Sequence, residues 1–148
     1  MKFSKAFTLI ELIMVILIIS ILAITIVPKF LGSSDIAHFA VRDQLISQLR
    51  LSQLKAMNQL DICNQVKITD EYAVIENNIG VSCGTEADID SRVILEDVSI
   101  KLASGSTPNP LVIKFDANGI SDCNCILNII GAETVQIKIE SQGYIHAL

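Results

Sequence analysis

The segment from Phe7 to Pro28, FTLIELIMVILIISILAITIVP, constrains this chain more than any other. It holds one ionisable residue, Glu11, and two lysines, Lys2 and Lys5, precede it. At about 1.5 Å per residue such a run makes roughly 30 Å of helix, the thickness of bilayer hydrocarbon. The chain is therefore expected to begin in a membrane, with the lysines on the cytoplasmic side and the remainder outside it. A cleaved secretory signal has a shorter apolar region closed by small residues. This run ends in Val27-Pro28-Lys29-Phe30, which predicts a retained anchor. Glu11 is out of place there, because an acid on a lone membrane helix costs about 3 kcal/mol. Either it reaches water at the membrane edge or it meets a positive charge supplied by another molecule; the second is expected.

The residues Lys5-Ala6-Phe7-Thr8-Leu9-Ile10-Glu11-Leu12, with the apolar run and Pro28, resemble the N-terminal signature of type IV pilins and of the pseudopilins of type II secretion. The resemblance implies a leader, residues 1–6, cut by a prepilin peptidase between Ala6 and Phe7. Phe7 then becomes an N-methylated terminus, and Glu11 pairs with the terminal amine of a neighbouring subunit. Residues 7–28 would be the transmembrane and assembly helix, single-pass in a bacterial inner membrane, with the following domain periplasmic until an inner-membrane assembly platform moves the subunit into a surface pilus or a periplasmic pseudopilus. The sequence departs from the family pattern twice. Ala6 stands where Gly is usual before the cut, and Ser20 replaces a Gly common midway along the helix.

The 148 residues, less leader and anchor, leave about 120, enough for one domain with a modest core. The 51% apolar content and mean hydropathy of +0.52 are raised by the anchor and do not call for a second span. Net charge is −5, and losing Lys2 and Lys5 brings it to about −7, nine basic against sixteen acidic residues. That balance argues against nucleic acid or an anionic membrane surface as the main partner.

Beyond Pro28, which bends a helix without necessarily ending it, Phe39, Leu45, Ile46, Leu49, Ala56, Met57 and Leu60 recur at threes and fours. Arg42, Asp43, Ser47, Gln48, Arg50 and Lys55 fall on the opposite face, so residues 29–60 are expected to be the amphipathic half of the helix, with a weak point at Gly32-Ser33-Ser34-Asp35. From residue 61 the period falls to two. Strands are expected at 62–69, 72–76, 92–95, 98–102, 111–115, 125–130, 134–140 and 144–147, with 82–91 an acidic surface loop and Asp116-Ala117-Asn118-Gly119 a tight turn. The fold class is α+β: a long N-terminal helix packed on an antiparallel β-rich domain, 61–148.

Within the pilin family, Arg42-Asp43-Gln44-Leu45, Leu49-Arg50-Leu51-Ser52-Gln53, Ala56-Met57, Ile113-Lys114-Phe115, Gly119, Val135-Gln136-Ile137-Lys138-Ile139 and Gly143 resemble the minor pilins of the GspH and FimT type. Pro28-Lys29-Phe30-Leu31 and Ala56-Met57 are similar to the minor pilins of mannose-sensitive haemagglutinin (MSHA) systems, the MshC type in particular.

Cys63, Cys83, Cys123 and Cys125 all lie in the exported part and are even in number, which predicts two disulfides in an oxidising compartment. Cys63 and Cys83 flank an expected hairpin and are the favoured pair. Cys123 with Cys125 follows by elimination, although residues two apart in a strand sit roughly 6.5–7 Å apart by Cα and need a bulge or turn to bond. A crossed pairing stays open. Zinc is disfavoured, since there is no Cys-x-x-Cys and neither His38 nor His146 stands at ligand spacing. Glu86, Asp88 and Asp90 alternate, but without the glycine-centred spacing of a calcium loop they read as a solvated turn.

No nucleophile with a local base, phosphate loop or H-E-x-x-H occurs, so neither enzyme nor cofactor is expected. The function expected is a structural one: a minor pilin of an MSHA-like pilus for adhesion or motility, its partners being other pilin subunits. A type II secretion pseudopilin is the alternative within that class. A DNA-catching tip subunit of the FimT type is the alternative outside it, and it would need exposed Lys or Arg clusters where this chain has an acidic loop.

Overall fold

The computed structural model describes residues 8–31, 34–59, 62–79, 86–87 and 89–148, of which 23–31, 34–35, 62, 78–79, 86–87 and 89 are described in backbone only. Two compact units emerge, divided between residues 33 and 34. The first contains helix α1, Leu9–Leu31, and the second opens with helix α2, Ser34–Asn58. Ala6, Phe7, Leu60, Cys83 and Asp88 lie outside the described residues.

The second unit has two antiparallel sheets. In the first, strands β1 (Ile62–Ile68), β2 (Tyr72–Ile79), β3 (Glu86–Ala87), β4 (Val93–Ile94) and β6 (Leu111–Lys114) assemble in the order β3-β2-β1-β6, and β4 also pairs with β2. In the second, β5 (Ser99–Leu102), β7 (Cys125–Ile130), β8 (Thr134–Ile139) and β9 (Ile145–Ala147) run in the order β5-β7-β8-β9. The sequence-derived strands fall within a few residues of these. The segment expected as one loop, 82–91, contains β3 and a 3₁₀ turn, Ile89–Ser91, because β2 continues to Ile79 and offers a ladder for a short return strand.

Alternation places Val66, Ile68, Ala73, Ile75, Leu111 and Ile113 of the first sheet and Leu127, Ile129, Ile137, Ile139 and Ile145 of the second in one core with Val41, Leu45, Leu49 and Ala56 of α2. Burying a Leu or Ile contributes about 1.5–3 kcal/mol, so α2 is held by its side chains. Its buried arc differs from the one expected. Gln48 and Ser52, with His38, point inward, while Phe39 and Met57 remain 39% and 46% exposed. The reason is that α2 packs on strands of both sheets, which widens the covered arc beyond the hydrophobic stripe. His38 is fully buried, stacked on Phe39 at 4.2 Å, and the backbone at Gly131 approaches so closely that a Cβ there would stand 2.9 Å from His38 Cβ. It is a packing residue. His146 is half-buried and stacks on Tyr144 at 4.9 Å.

On β2, the nearly buried Glu76 accepts a hydrogen bond from Gln65 Nε2 at 2.7 Å and pairs with Lys67 Nζ at 3.1 Å, which offsets the cost of burying its charge.

One side chain ties α2 to both of the late turns. Gln53 Nε2 donates to Gly119 O at 2.7 Å and to Gly143 O at 2.9 Å. The first turn is the expected one, closed by Gly119 N–H on Asp116 O (2.9 Å) and by Asp116 Oδ1, which accepts from Asn118 N (2.9 Å) and Ile120 N (2.7 Å). The second is closed by Gly143 N–H on Glu140 O at 2.8 Å. Both glycines have positive φ, +77° and +81°, and a Cβ on Gly143 would stand 1.9 Å from Gly119 O. The turns therefore touch backbone to backbone, and only glycine allows it. Alongside, Arg50 Nη2 donates to Ile145 O at 2.8 Å, fixing β9 to the same helix.

Cys123 and Cys125 are joined by a disulfide with Cα atoms 5.3 Å apart. The spacing difficulty is removed because only Cys125 lies in a strand, while Cys123 and Asn124 are irregular. Cys63 is also disulfide-bonded. Non-reducing peptide mapping is expected to return the Cys123–Cys125 and Cys63–Cys83 linkages, and a linkage from Cys63 to Cys123 or Cys125 would contradict it. In urea unfolding, Gln53→Leu should lose about 1–3 kcal/mol by stranding two carbonyls. Gly143→Ala should lose about 3 kcal/mol or more, since both its φ and its Cβ are refused. Equal midpoints for Gly143→Ala and wild type would overturn the turn-to-turn contact.

Candidate assembly site

Helix α1 begins at a capped end. Thr8 O accepts from Glu11 N at 3.1 Å and from Leu12 N at 3.3 Å, and Thr8 Oγ1 lies 3.4 Å from Glu11 N. Thr8-Leu9-Ile10-Glu11 has the Thr-x-x-Glu spacing of a capping box, which stabilises the helix start. Glu11 thus sits in the first turn, where the partial positive charge of the helix end favours a carboxylate. No ion pair to Glu11 occurs among the described residues. Sequence reasoning singled out the acid and passed over Thr8, whose signal was that same spacing.

Every side chain from Thr8 to Leu22 is exposed within this unit, Leu9 at 77% and Ile21 at 66%. A helix apolar on all faces has no orientation that buries its hydrophobic surface against one neighbour. It requires an apolar environment all round, lipid or other helices. Ser20 is the exception in that wall, and its hydroxyl donates back to Ile16 O at 2.6 Å, so the polar group at this position is satisfied inside the helix. The helical backbone passes through Pro28 to Leu31. Among the described residues, whose side chains on α1 end at Leu22, no helix is long and apolar enough to cross a membrane.

A second apolar exposure lies on α2. Leu51 and Leu54 are 43% and 55% exposed and, with Asp43, Ile46, Ser47 and Arg50, line a shallow depression of about 380 Å³. These residues recur at three and four along the helix, so they form one stripe opposite the buried arc. No three His, Cys, Asp or Glu side chains converge as a metal site among the described residues. Of the alternating acids, Asp90 is exposed in the 3₁₀ turn and Glu86 lies in β3.

Residues 1–27 match the family model described as the prokaryotic N-terminal methylation motif. A search of curated proteins finds no match. Among solved structures, the fold is similar to the type IV minor pilin FimU of Pseudomonas aeruginosa in two crystal forms. The P65 form aligns with a TM-score of 0.52 at 14% identity over 74% of this chain and 90% of FimU. The P21 form aligns with a TM-score of 0.55 at 13% identity over 79% and 92%. At that identity the likeness is one of fold: N-terminal helices packed on antiparallel sheets. A prokaryotic N-terminal methylation motif ahead of a domain with the fold of a type IV minor pilin supports assigning the chain to the type IV pilin superfamily.

Proposed function

We propose that the chain is a minor subunit of a type IV pilus, held in the inner membrane by residues 7–28 before assembly and packed among other pilin helices after it. One observation carries the proposal: an all-round apolar α1 headed by a single acid in its first turn, within a methylation motif. Such a helix can exchange one apolar environment for another at little cost, because sister helices bury it as well as lipid does. Glu11 changes in the exchange. It is an uncompensated charge in lipid, and it gains a partner when a neighbour's Phe7 amine lies opposite it.

Cleavage between Ala6 and Phe7 by a prepilin peptidase creates that amine, so processing and pairing are linked steps. The stripe of Leu51 and Leu54 on α2 supplies a further apolar contact to adjacent subunits. An MSHA-like pilus is the system we favour, on Pro28-Lys29-Phe30-Leu31 and Ala56-Met57. The acidic balance of the chain favours a role in assembly over capture of DNA.

In a strain lacking the wild-type copy, Glu11→Ala and Glu11→Lys should leave the globular domain folded and reduce incorporation into sheared pili at least tenfold. Incorporation of both variants at wild-type levels would sink the charge-pairing role. Enlarging Ala6 to Leu should leave the six-residue leader attached, visible by intact mass in membrane fractions as a heavier subunit with an unmethylated terminus.

A further inference from the structure

The chain crosses from the first sheet to the second between β6 and β7, and the Cys123–Cys125 disulfide lies at the end of that crossing. The crossing is held without it. Phe115 and Ser121 bridge, Asp122 N donates to Lys114 O at 3.1 Å, and Asp122 Oδ1 accepts from Lys114 N at 2.9 Å. Ser121 Oγ accepts from Cys123 N at 3.1 Å, and Cys125 is in register with Ile139 on β8. The loop the bond closes contains one residue, Asn124. Chain-closure stabilisation grows with the logarithm of loop length, so this bond constrains the unfolded chain least. Cys63, by contrast, is bonded to a cysteine at least twenty residues away. The 123–125 bond is thus close to redundant for the fold.

It is also approachable. Cys123 and Cys125 are half-buried, and Cys125 lines an open cavity of about 390 Å³ with Ala103, Ser104, Asn124, Ile126 and Lys138. The Lys138 ammonium, paired with Glu140 at 2.7 Å, borders the same space. A nearby cation favours a thiolate over a thiol and so makes a sulfur a better leaving group.

We propose that Cys123–Cys125 is a thiol–disulfide exchange site, opened and closed in the folded domain by a protein dithiol of the Cys-x-x-Cys class. A thiolate of the dithiol attacks Cys123 Sγ and forms a mixed disulfide. The Cys123–Cys125 bond breaks, and Cys125 leaves as a thiolate beside Lys138 and takes a proton from solvent. The second thiol of the partner, losing its proton, resolves the mixed disulfide and releases Cys123, which is protonated in turn. The partner's dithiol is oxidised to a disulfide and the pair is reduced to two thiols. The opened pair frees the segment at the mouth of the cavity while Ser121 and β7 stay in place. This site is independent of the assembly role, which acts through α1.

The test is redox equilibration of the full-length protein in detergent micelles with graded ratios of reduced to oxidised dithiothreitol, followed by alkylation and peptide mapping. Cys123 and Cys125 should be alkylated together at a ratio at least tenfold less reducing than the one that exposes Cys63, with the far-ultraviolet circular dichroism unchanged. Alkylation of all the cysteines at one ratio, or alkylation of this pair only where the dichroism is lost, overturns the proposal. Lys138→Gln should slow opening by dithiothreitol several-fold in a domain of unchanged dichroism. An unchanged rate would overturn the part given to the ammonium.

Discussion

An apolar cylinder without a polar face is the constraint on which the rest of this protein depends. Elsewhere in the chain, side chains are sorted by period: every second residue of a strand and every third or fourth of α2 turns inward, and polar groups take the rest. Helix α1 is not sorted. From Leu9 to Leu22 only Glu11 and Ser20 are polar, and Ser20 turns its hydroxyl back on its own backbone. Nothing in such a surface specifies depth, rotation or partner. A charge that is costly to leave alone does specify one of them, the axial position, since it is satisfied at one height and no other. The single acid therefore gives register to a helix that otherwise has none.

The globular unit meets the opposite difficulty. Its two sheets are joined through short crossings, and their late turns would be free to drift apart if held only by the strand ladders. Gln53 removes that freedom with one amide. Its two donors satisfy carbonyls 66 and 90 residues away in sequence. A neutral hydrogen bond contributes about 1 kcal/mol, and a stranded carbonyl costs as much or more. The clamp matters chiefly because its absence would leave two buried acceptors unpaired where the turns touch. Gly119 and Gly143 belong to the same device. Each is required because the other turn's backbone, or the helix side chain between them, occupies the space of a Cβ.

Much of this was legible in the sequence, for physical reasons that also mark where legibility ends. The strands are visible because burial on one face enforces alternation; Cys125–Ile130, with Leu127 and Ile129 inward, was read to the residue. The interior of α2 was read less well. Hydrophobic spacing identifies residues that gain from burial and says nothing of polar ones carried in with them, so Gln48, Ser52 and His38 were misplaced or left at the surface. Gln53 gave no signal at all, because its partners are main-chain carbonyls, which every residue has. Glu11 was legible as an anomaly. Its partner was not, since no charge within the chain provides one among the described residues.

The two functional features of this chain are thus bonds that the fold itself does not need. Glu11 contributes nothing to the packing of the β-rich unit, and the Cys123–Cys125 bond closes too short a loop to stabilise it by much. A residue retained for stability shows its reason locally, as Gln53 does, in partners that would be left unsatisfied without it. A residue whose local account is incomplete points outside the chain. For Glu11 the missing element is a positive charge at membrane depth; for the cysteine pair it is a second pair of thiols. Both are supplied by other molecules, and that is where the chemistry of this protein lies.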